Sequence, residues 1–330
     1  MAKSDSRWDV LAALRFILAT LVVITHSGIV DRSSIIFLYF GGQTGFAAVF
    51  VFFMVSGYSI AASLEKERSG YFWRRVRRIY PTFLFAIAFC FAITSFGPLT
   101  LPYGQVVEPQ PSSVYLGHIF MLQGIFTGLL PQDAPLYSLA IEWWLYMIAP
   151  TLMLVGNRYA IIIGLASFCF MCYYFYAFGN GSPDAGHLNI LLYSWSWLFG
   201  FAFYRSQSPL NTLLLIAPPL VLFGHILNLD YAPLVVGVGS ATLLLADKIR
   251  ISSLHVKSVM RWLGDVSYPL YLFHLPLLYL LATKTSVKNG NLLVLVVLVT
   301  VSIGYIVSSF AWDKFNVFYA RNILLRERPI

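Results

Sequence analysis

The first long apolar stretch of the chain contains two ionisable residues, Arg15 and His26, with ten residues between them. Eleven helical steps of ~100° return to within ~20° of the starting direction, so a helix places both side chains on one face, ~16 Å apart along its axis. Histidine can take a proton from a hydroxyl, and arginine can bind an anion or stabilise a developing negative charge. The structural alternatives are an arginine whose head reaches the end of the apolar stretch and a histidine bonded to a carbonyl.

Ser138, Glu142 and Tyr146 recur every four residues in a later apolar stretch, so they form one polar stripe on a helix. Glu142 is the one acidic residue deep inside such a stretch. A buried carboxyl group needs a cation, hydrogen-bond donors or a proton. We therefore expect Glu142 either to lock two helices together or to orient or charge-balance a catalytic histidine.

A third polar stripe, formed by Ser267, Tyr271 and His274, follows the spacing i, i+4, i+7 near the end of the chain. Hydrogen bonding between helices is the structural alternative for these side chains. His274 is a second histidine candidate for acid–base chemistry. Ser138 and Tyr271 are candidates for the lining of the same polar cavity.

A run of arginines that includes Arg74, Arg75 and Arg78 follows the second apolar stretch. Such a cluster is typical of a topology signal that binds anionic lipid. Because guanidinium groups bind phosphate in a bidentate manner, the alternative is a clamp for a donor that carries several phosphates, such as coenzyme A.

The composition predicts that these stripes belong to a membrane protein. Of the 330 residues, 58% are hydrophobic and 11% are charged, whereas a soluble domain carries roughly 25% charged residues. The hydrophobicity also excludes a disordered chain. The net charge of +8 is explained by the positive-inside rule and indicates no nucleic-acid partner. Ten apolar segments are long enough to span a bilayer, namely 8–29, 41–62, 81–97, 136–155, 159–178, 188–204, 210–227, 232–246, 264–283 and 291–312.

The charges predict the orientation of these segments. With the N-terminus in the cytoplasm and segment 113–130 not crossing, 18 of the 22 Lys and Arg residues fall on the cytoplasmic side. We therefore predict an all-α integral membrane protein with about ten transmembrane helices, one possible re-entrant segment at 113–130, and both termini cytoplasmic. The first span is expected to be retained, since it lacks the exit site of a cleaved signal. Residues 1–330 are expected to form a single membrane domain without a C-terminal extracytoplasmic domain.

The cysteines and histidines do not predict a metal site. Cys90, Cys169 and Cys172 all lie in apolar stretches, and the Cys-x-x-Cys at 169–172 lacks the second pair that a zinc site needs. No two histidines have the spacing of metal ligands. We therefore predict buried free thiols and no metal.

In this order, the stretches resemble the acyltransferase-3 family of membrane O-acyltransferases over essentially the whole chain. The first span carries an arginine and a histidine, Arg15 and His26, and the second span has a phenylalanine-rich end with Phe52, Phe53, Ser56 and Gly57. An R-R-x-x-R segment before a proline contains Arg74, Arg75 and Arg78. The later motifs are a serine-leucine-x-x-glutamate span, with Ser138, Leu139 and Glu142, and a serine-tyrosine…tyrosine-leucine-x-histidine span, with Ser267, Tyr268, Tyr271, Leu272 and His274. Arg77 is an additional basic residue within the third motif.

The resemblance implies a bacterial inner-membrane enzyme that takes an acyl group, often acetyl, from cytoplasmic acyl-coenzyme A. The acceptor would be a hydroxyl of a surface polysaccharide or a lipid-linked sugar. Some members carry an extra extracytoplasmic domain that completes the transfer. For this chain we expect either that the membrane domain completes it or that a separate extracytoplasmic partner does.

We expect Arg74, Arg75 and Arg78 to hold the phosphates of the donor, and Arg15 to steady the donor or its thioester carbonyl. His26 would be the base that deprotonates the acceptor, or a transient acyl carrier. The alternative function is a secondary transporter of a sugar precursor or an anion, although no internal repeat supports it. A scaffold for polysaccharide assembly is a third interpretation, but it assigns no role to the face shared by Arg15 and His26.

Overall fold

The computed structural model describes residues 6–178, 186–227, 231–284 and 289–306, and these form a helical bundle with one two-stranded antiparallel ribbon. The helices are α1 Arg7–Ser27, α2 Ile35–Phe40, α3 Thr44–Lys66, α4 Tyr71–Thr94, α5 Ser112–Ile119, α6 Leu136–Leu154, α7 Asn157–Phe178, α8 Asn189–Arg205, α9 Pro209–Val221, α10 Ala232–Leu245, α11 Leu254–Lys284 and α12 Gly290–Ile306. The ribbon pairs β1 (Leu99–Thr100) with β2 (Val106–Val107). The predicted cytoplasmic tail 313–330, the outer-loop residue Lys288 and the end of segment 291–312 lie outside the described residues.

Each of the ten apolar segments predicted from the sequence coincides with a helix in these ranges. Among the described residues, six helical stretches are long and apolar enough to cross a membrane: α1, α3, α4, α7, α11, and α9 together with the π-helical turn Leu222–Ile226 that follows it. The prediction of an all-α membrane protein is therefore confirmed in its class. The count of ten spans and the cytoplasmic termini stay predictions.

Segment 113–130 does not form a spanning helix. Its helix, α5, is only 8 residues long, and the backbone from residue 120 to 130 is irregular. Side chains of neighbouring helices bind this backbone: Trp144 Nε1 donates to the Met121 carbonyl at 2.9 Å and Asn189 Nδ2 to the Gly124 carbonyl at 2.7 Å. Membrane proteins tolerate irregular backbone where it is buried in protein or lines a water-filled cavity.

Helix α3 is the centre of the bundle and packs against α1, α6, α8 and α10. Two glycines bring the α3 and α8 backbones into direct contact. A Cβ atom on Gly57 would lie 2.0 Å from the Trp197 carbonyl oxygen, and one on Gly200 would lie 2.0 Å from the Met54 carbonyl oxygen. Small residues permit this approach, which is a common way for membrane helices to associate.

Helices α4 and α7 form much of the outer surface and expose large apolar side chains, as expected for contact with lipid. This position corrects one prediction. Cys90 is a buried free thiol as expected, but Cys169 on α7 is exposed and Cys172 is half-buried. An apolar stretch predicts a membrane helix, and it does not distinguish the face that packs against protein from the face that contacts lipid.

Candidate active site

A cavity of about 120 Å³ lies between α1, α3, α4, α6 and α11, and we name it the arginine cavity. Its polar lining consists of Arg15, Arg75, Arg78, Glu142, Ser56, Ser59, Ser138, Tyr146, Ser267, Tyr268 and Tyr271. Three cationic side chains face one carboxyl group. This excess of positive charge in a partly enclosed space favours an anionic ligand.

Three serines on α3 hold the polar side chains of this cavity in place. Ser59 accepts a hydrogen bond from Arg15 Nη2 at 2.6 Å, and Ser63 accepts one from Arg75 Nη2 at 2.8 Å. Ser56 Oγ lies 3.0 Å from the Tyr146 hydroxyl. Sequence reasoning missed Ser59 and Ser63, although their spacing with Ser56, i, i+3, i+7, is the signal that could have found them.

Glu142 lines the arginine cavity and accepts a hydrogen bond from the Tyr146 hydroxyl at 2.5 Å. The two residues are one helical turn apart on α6, so the stripe predicted from the sequence supplies its own partner. Its hydrogen-bond partner in the structure is a tyrosine, so the role of Glu142 beside a catalytic histidine stays a prediction. Through Tyr146 and Ser56, the carboxyl group joins α6 to α3.

The predicted arginine cluster divides into two groups. Arg75 and Arg78 line the arginine cavity, and Arg78 is exposed at its mouth. Arg74 is not among the lining residues. It donates to the Ser69 carbonyl and, at 2.5 Å, to the Glu67 carbonyl, and it forms an ion pair with the Glu67 carboxylate at 3.5 Å.

A second cavity of about 330 Å³ lies at the other end of α1, and we name it the histidine cavity. It is lined by Val22, Thr25, His26, Gly42, Gln43, Gly45, Phe46, Val49, Leu129, Ala134, Pro135, Tyr137, Phe175, Tyr193, Leu227 and Tyr271. Gly42 and Gln43 are exposed at its mouth. Arg15 and His26 therefore line different cavities.

His26 is paired with His274, which is fully buried on α11. The Nε2 atom of His274 lies 3.2 Å from Nδ1 of His26. Each Nδ1 also faces a carbonyl oxygen, that of Val22 at 2.9 Å for His26 and that of Tyr271 at 2.7 Å for His274. Because a carbonyl only accepts, we assign the proton of both neutral rings to Nδ1. This leaves Nε2 of His26 as its basic nitrogen.

Tyr271 and Val49 line both cavities. The Tyr271 hydroxyl lies 2.6 Å from Ser138 Oγ and 3.0 Å from the Pro135 carbonyl, and Ser138 Oγ lies 3.0 Å from that same carbonyl. The two hydroxyl oxygens and the carbonyl oxygen therefore form a triangle, and the two hydroxyl protons make the hydrogen bonds within it. The structure thus brings together Ser138 and Tyr271, two residues that the sequence had placed in separate stripes.

Two further buried polar residues, His118 and Asp133, lie in the segment before α6 and were not predicted as site residues. Burial lowers the pKa of His118 to about 4, so its ring is uncharged at neutral pH. Burial also raises the pKa of Asp133 well above its usual range. Asp133 immediately precedes Ala134 and Pro135 in the wall of the histidine cavity. Within the described ranges, no three His, Cys, Asp or Glu side chains converge as metal ligands would.

The comparisons with known proteins give one match. A family model described as an acyltransferase domain matches residues 9–311, a range that contains every residue lining the two cavities. No curated protein and no solved structure matches the chain.

Proposed function

Because the chain belongs to the acyltransferase-3 family and is a membrane acyltransferase, we propose that it transfers an acyl group from cytoplasmic acyl-coenzyme A to a sugar hydroxyl. In the simplest case the group is acetyl, and the acceptor is a surface polysaccharide or a lipid-linked sugar. The observation that carries this proposal is a cationic cavity and a histidine-lined cavity that meet at Tyr271.

Arg75 and Arg78 are placed to bind the phosphates of the donor. A cavity of about 120 Å³ is smaller than the ~300–1,000 Å³ of sites that enclose a drug-sized ligand. The nucleotide of coenzyme A therefore stays at the mouth beside the exposed Arg78, and only the narrow thioester arm enters. Arg15, fixed by Ser59, contacts that arm deeper in the cavity. Arg74, bound to Glu67, contributes a weaker contact from outside the lining.

His26 acts as the general base on the acceptor hydroxyl. Its Nε2 takes the hydroxyl proton, the oxygen attacks the thioester carbonyl carbon, and the carbon–sulfur bond breaks. The proton on His26 then passes to the departing sulfur, so the products are an ester and free coenzyme A thiol. The charge on the imidazolium is shared through Nδ1 with His274.

This chemistry requires an orientation in the membrane. The arginine cavity faces the cytoplasm, where acyl-coenzyme A is found, and the histidine cavity faces the periplasm across a bacterial inner membrane. The positive-inside distribution of Lys and Arg supports that orientation. The histidine cavity, at about 330 Å³, is large enough for part of a sugar, and this supports a transfer completed by the membrane domain rather than by a separate extracytoplasmic partner.

The proposal is tested by the release of free thiol from acetyl-coenzyme A in vesicles containing the purified protein. Wild type is compared with His26→Ala and with His255→Ala, which removes an exposed histidine at the start of α11. When native envelope extract supplies the acceptor, we expect release with the wild type and His255→Ala and release slowed by about 100-fold or more with His26→Ala, at equal amounts of folded protein. If thiol is not released even when native envelope extract supplies the acceptor, the proposal is wrong.

A secondary transporter would instead move a solute without releasing thiol. The family membership gives that alternative no support.

A further inference from the structure

The boundary between the two cavities consists of few side chains. Tyr271 and Val49 line both cavities. Among the bonding partners of the Tyr271 hydroxyl, Ser138 lines the arginine cavity and Pro135 lines the histidine cavity. The triangle of hydrogen bonds thus lies on the boundary, and it ties α11 to the start of α6.

The side chain of Tyr271 is held in this place from several directions. Its ring meets that of Phe52 on α3 edge to face, with centroids 5.9 Å apart, and lies 5.9 Å from the ring of His274. Ser138 is buried, whereas Tyr271 is half-buried and borders both cavities. A side chain with space on each side can turn when its hydroxyl releases its two partners.

We propose that Tyr271 is a partition that closes the path between the arginine cavity and the histidine cavity, and that it opens when its hydroxyl leaves Ser138 and Pro135. The identity of what passes, the acyl end of a coenzyme A thioester, rests on the proposed function, whereas the partition itself does not. Closed, Tyr271 keeps water in the histidine cavity away from the thioester. Water would otherwise attack the carbonyl carbon and break the carbon–sulfur bond, giving a free carboxylic acid and thiol.

The partition is tested without activity by the accessibility of single cysteines. In a chain with the three native cysteines replaced, Ser59→Cys probes the arginine cavity and Thr25→Cys probes the histidine cavity. A charged, membrane-impermeant methanethiosulfonate is applied to each face of oriented vesicles. With Tyr271 intact, each probe is expected to react from one face only, and the two probes from opposite faces. Reaction of both probes from the same face would overturn the proposal.

The variants at position 271 complete this test. Tyr271→Ala is expected to increase the reaction of each probe from its closed face by at least about tenfold, since the ring and both hydrogen bonds are lost. Tyr271→Phe retains the ring but loses the hydroxyl, and it is expected to increase the same reaction rates about two- to tenfold. Phe273→Ala is the matched control, since its ring packs against Phe85 and Phe89 rather than a cavity. Unchanged rates in Tyr271→Phe would refute the partition even if Tyr271→Ala does not fold.

An activity measurement separates the partition from the proposed function. With acetyl-coenzyme A and no acceptor, Tyr271→Ala is expected to release thiol about tenfold faster than the wild type, because water reaches the thioester. Thiol release that does not rise, from a wild type that does transfer acyl groups, would contradict the role against hydrolysis. If no variant releases thiol while the labelling pattern holds, the proposed function fails and the partition stands.

Discussion

Nε2 of His274 lies 3.2 Å from Nδ1 of His26, and this contact joins the last turn of α1 to the middle of α11. With both Nδ1 atoms protonated, Nε2 of His274 accepts a hydrogen bond from Nδ1 of His26. Nε2 of His26 then remains available as the base. His274 is therefore a positioning residue that fixes the ring of His26 and stabilises its protonated form. Its effect on transfer should depend entirely on His26.

The first prediction follows from that dependence. His26→Ala is expected to lower the transfer rate by about 100-fold or more, since general base catalysis is lost. His274→Ala is expected to lower it by about 10- to 100-fold, and the double variant should be no slower than His26→Ala alone. The measurement is kcat for acyl transfer to the acceptor. If the loss of kcat in the double variant equals the product of the two single losses, the two histidines act independently.

Replacing the arginines that line the cavity should raise KM for the donor more than replacing Arg74, which lies outside the lining. Arg75→Ala and Arg78→Ala are expected to raise KM for acyl-coenzyme A by about tenfold or more, since each removes a charge-assisted hydrogen bond to the donor. Arg74→Ala is expected to raise it by only about twofold, because Arg74 is engaged with the exposed Glu67. Steady-state kinetics at varied donor concentration measure these values. Equal rises in all three variants would show that Arg74 also reaches the donor.

The contact between α3 and α8 gives a prediction about stability. Gly57→Ala and Gly200→Ala each place a Cβ atom 2.0 Å from a carbonyl oxygen of the facing helix. Overpacking of this kind costs about 1–3 kcal/mol in the free energy of unfolding, so both melting temperatures should fall. Gly237→Ala is the control, because its nearest neighbour would be Leu220 Cδ2 at 3.8 Å. A melting temperature lowered equally by Gly237→Ala would remove the argument for close contact.

The stability of the bundle should also depend on pH through His118. Burial lowers the pKa of His118 from 6.5 to about 4, so the neutral ring stabilises the fold above pH 6.5. That contribution is lost as the pH falls from 6.5 towards 4, and by pH 5 the loss in the free energy of unfolding is about 2 kcal/mol. His118→Phe should therefore show a smaller drop in melting temperature between pH 7 and pH 5 than the wild type. An equal drop in both would assign the acid sensitivity to other groups.

The helices could be predicted from the sequence because length and apolar character decide them. The shared face of Arg15 and His26 was equally predictable, since it depends only on helix geometry. The pairing of His26 with His274 was not, because it depends on how α1 packs against α11, and 248 positions separate the two residues. The spacing of polar residues on α6 also could not decide whether Glu142 bonds to Tyr146, one turn away, or to a residue on another helix.

The two prolines inside α11, Pro269 and Pro276, lie on either side of Tyr271 and His274. Proline donates no backbone hydrogen bond, so the helix lacks its usual N–H to the carbonyls of Asp265 and Leu272. The turns between the prolines carry both the side chain that separates the cavities and the side chain that supports the base, and His274 Nδ1 is bonded to the Tyr271 carbonyl. Bending α11 at either proline would therefore displace Tyr271 and His274 as one body, so access to the reaction centre and the basicity of His26 would change in the same movement.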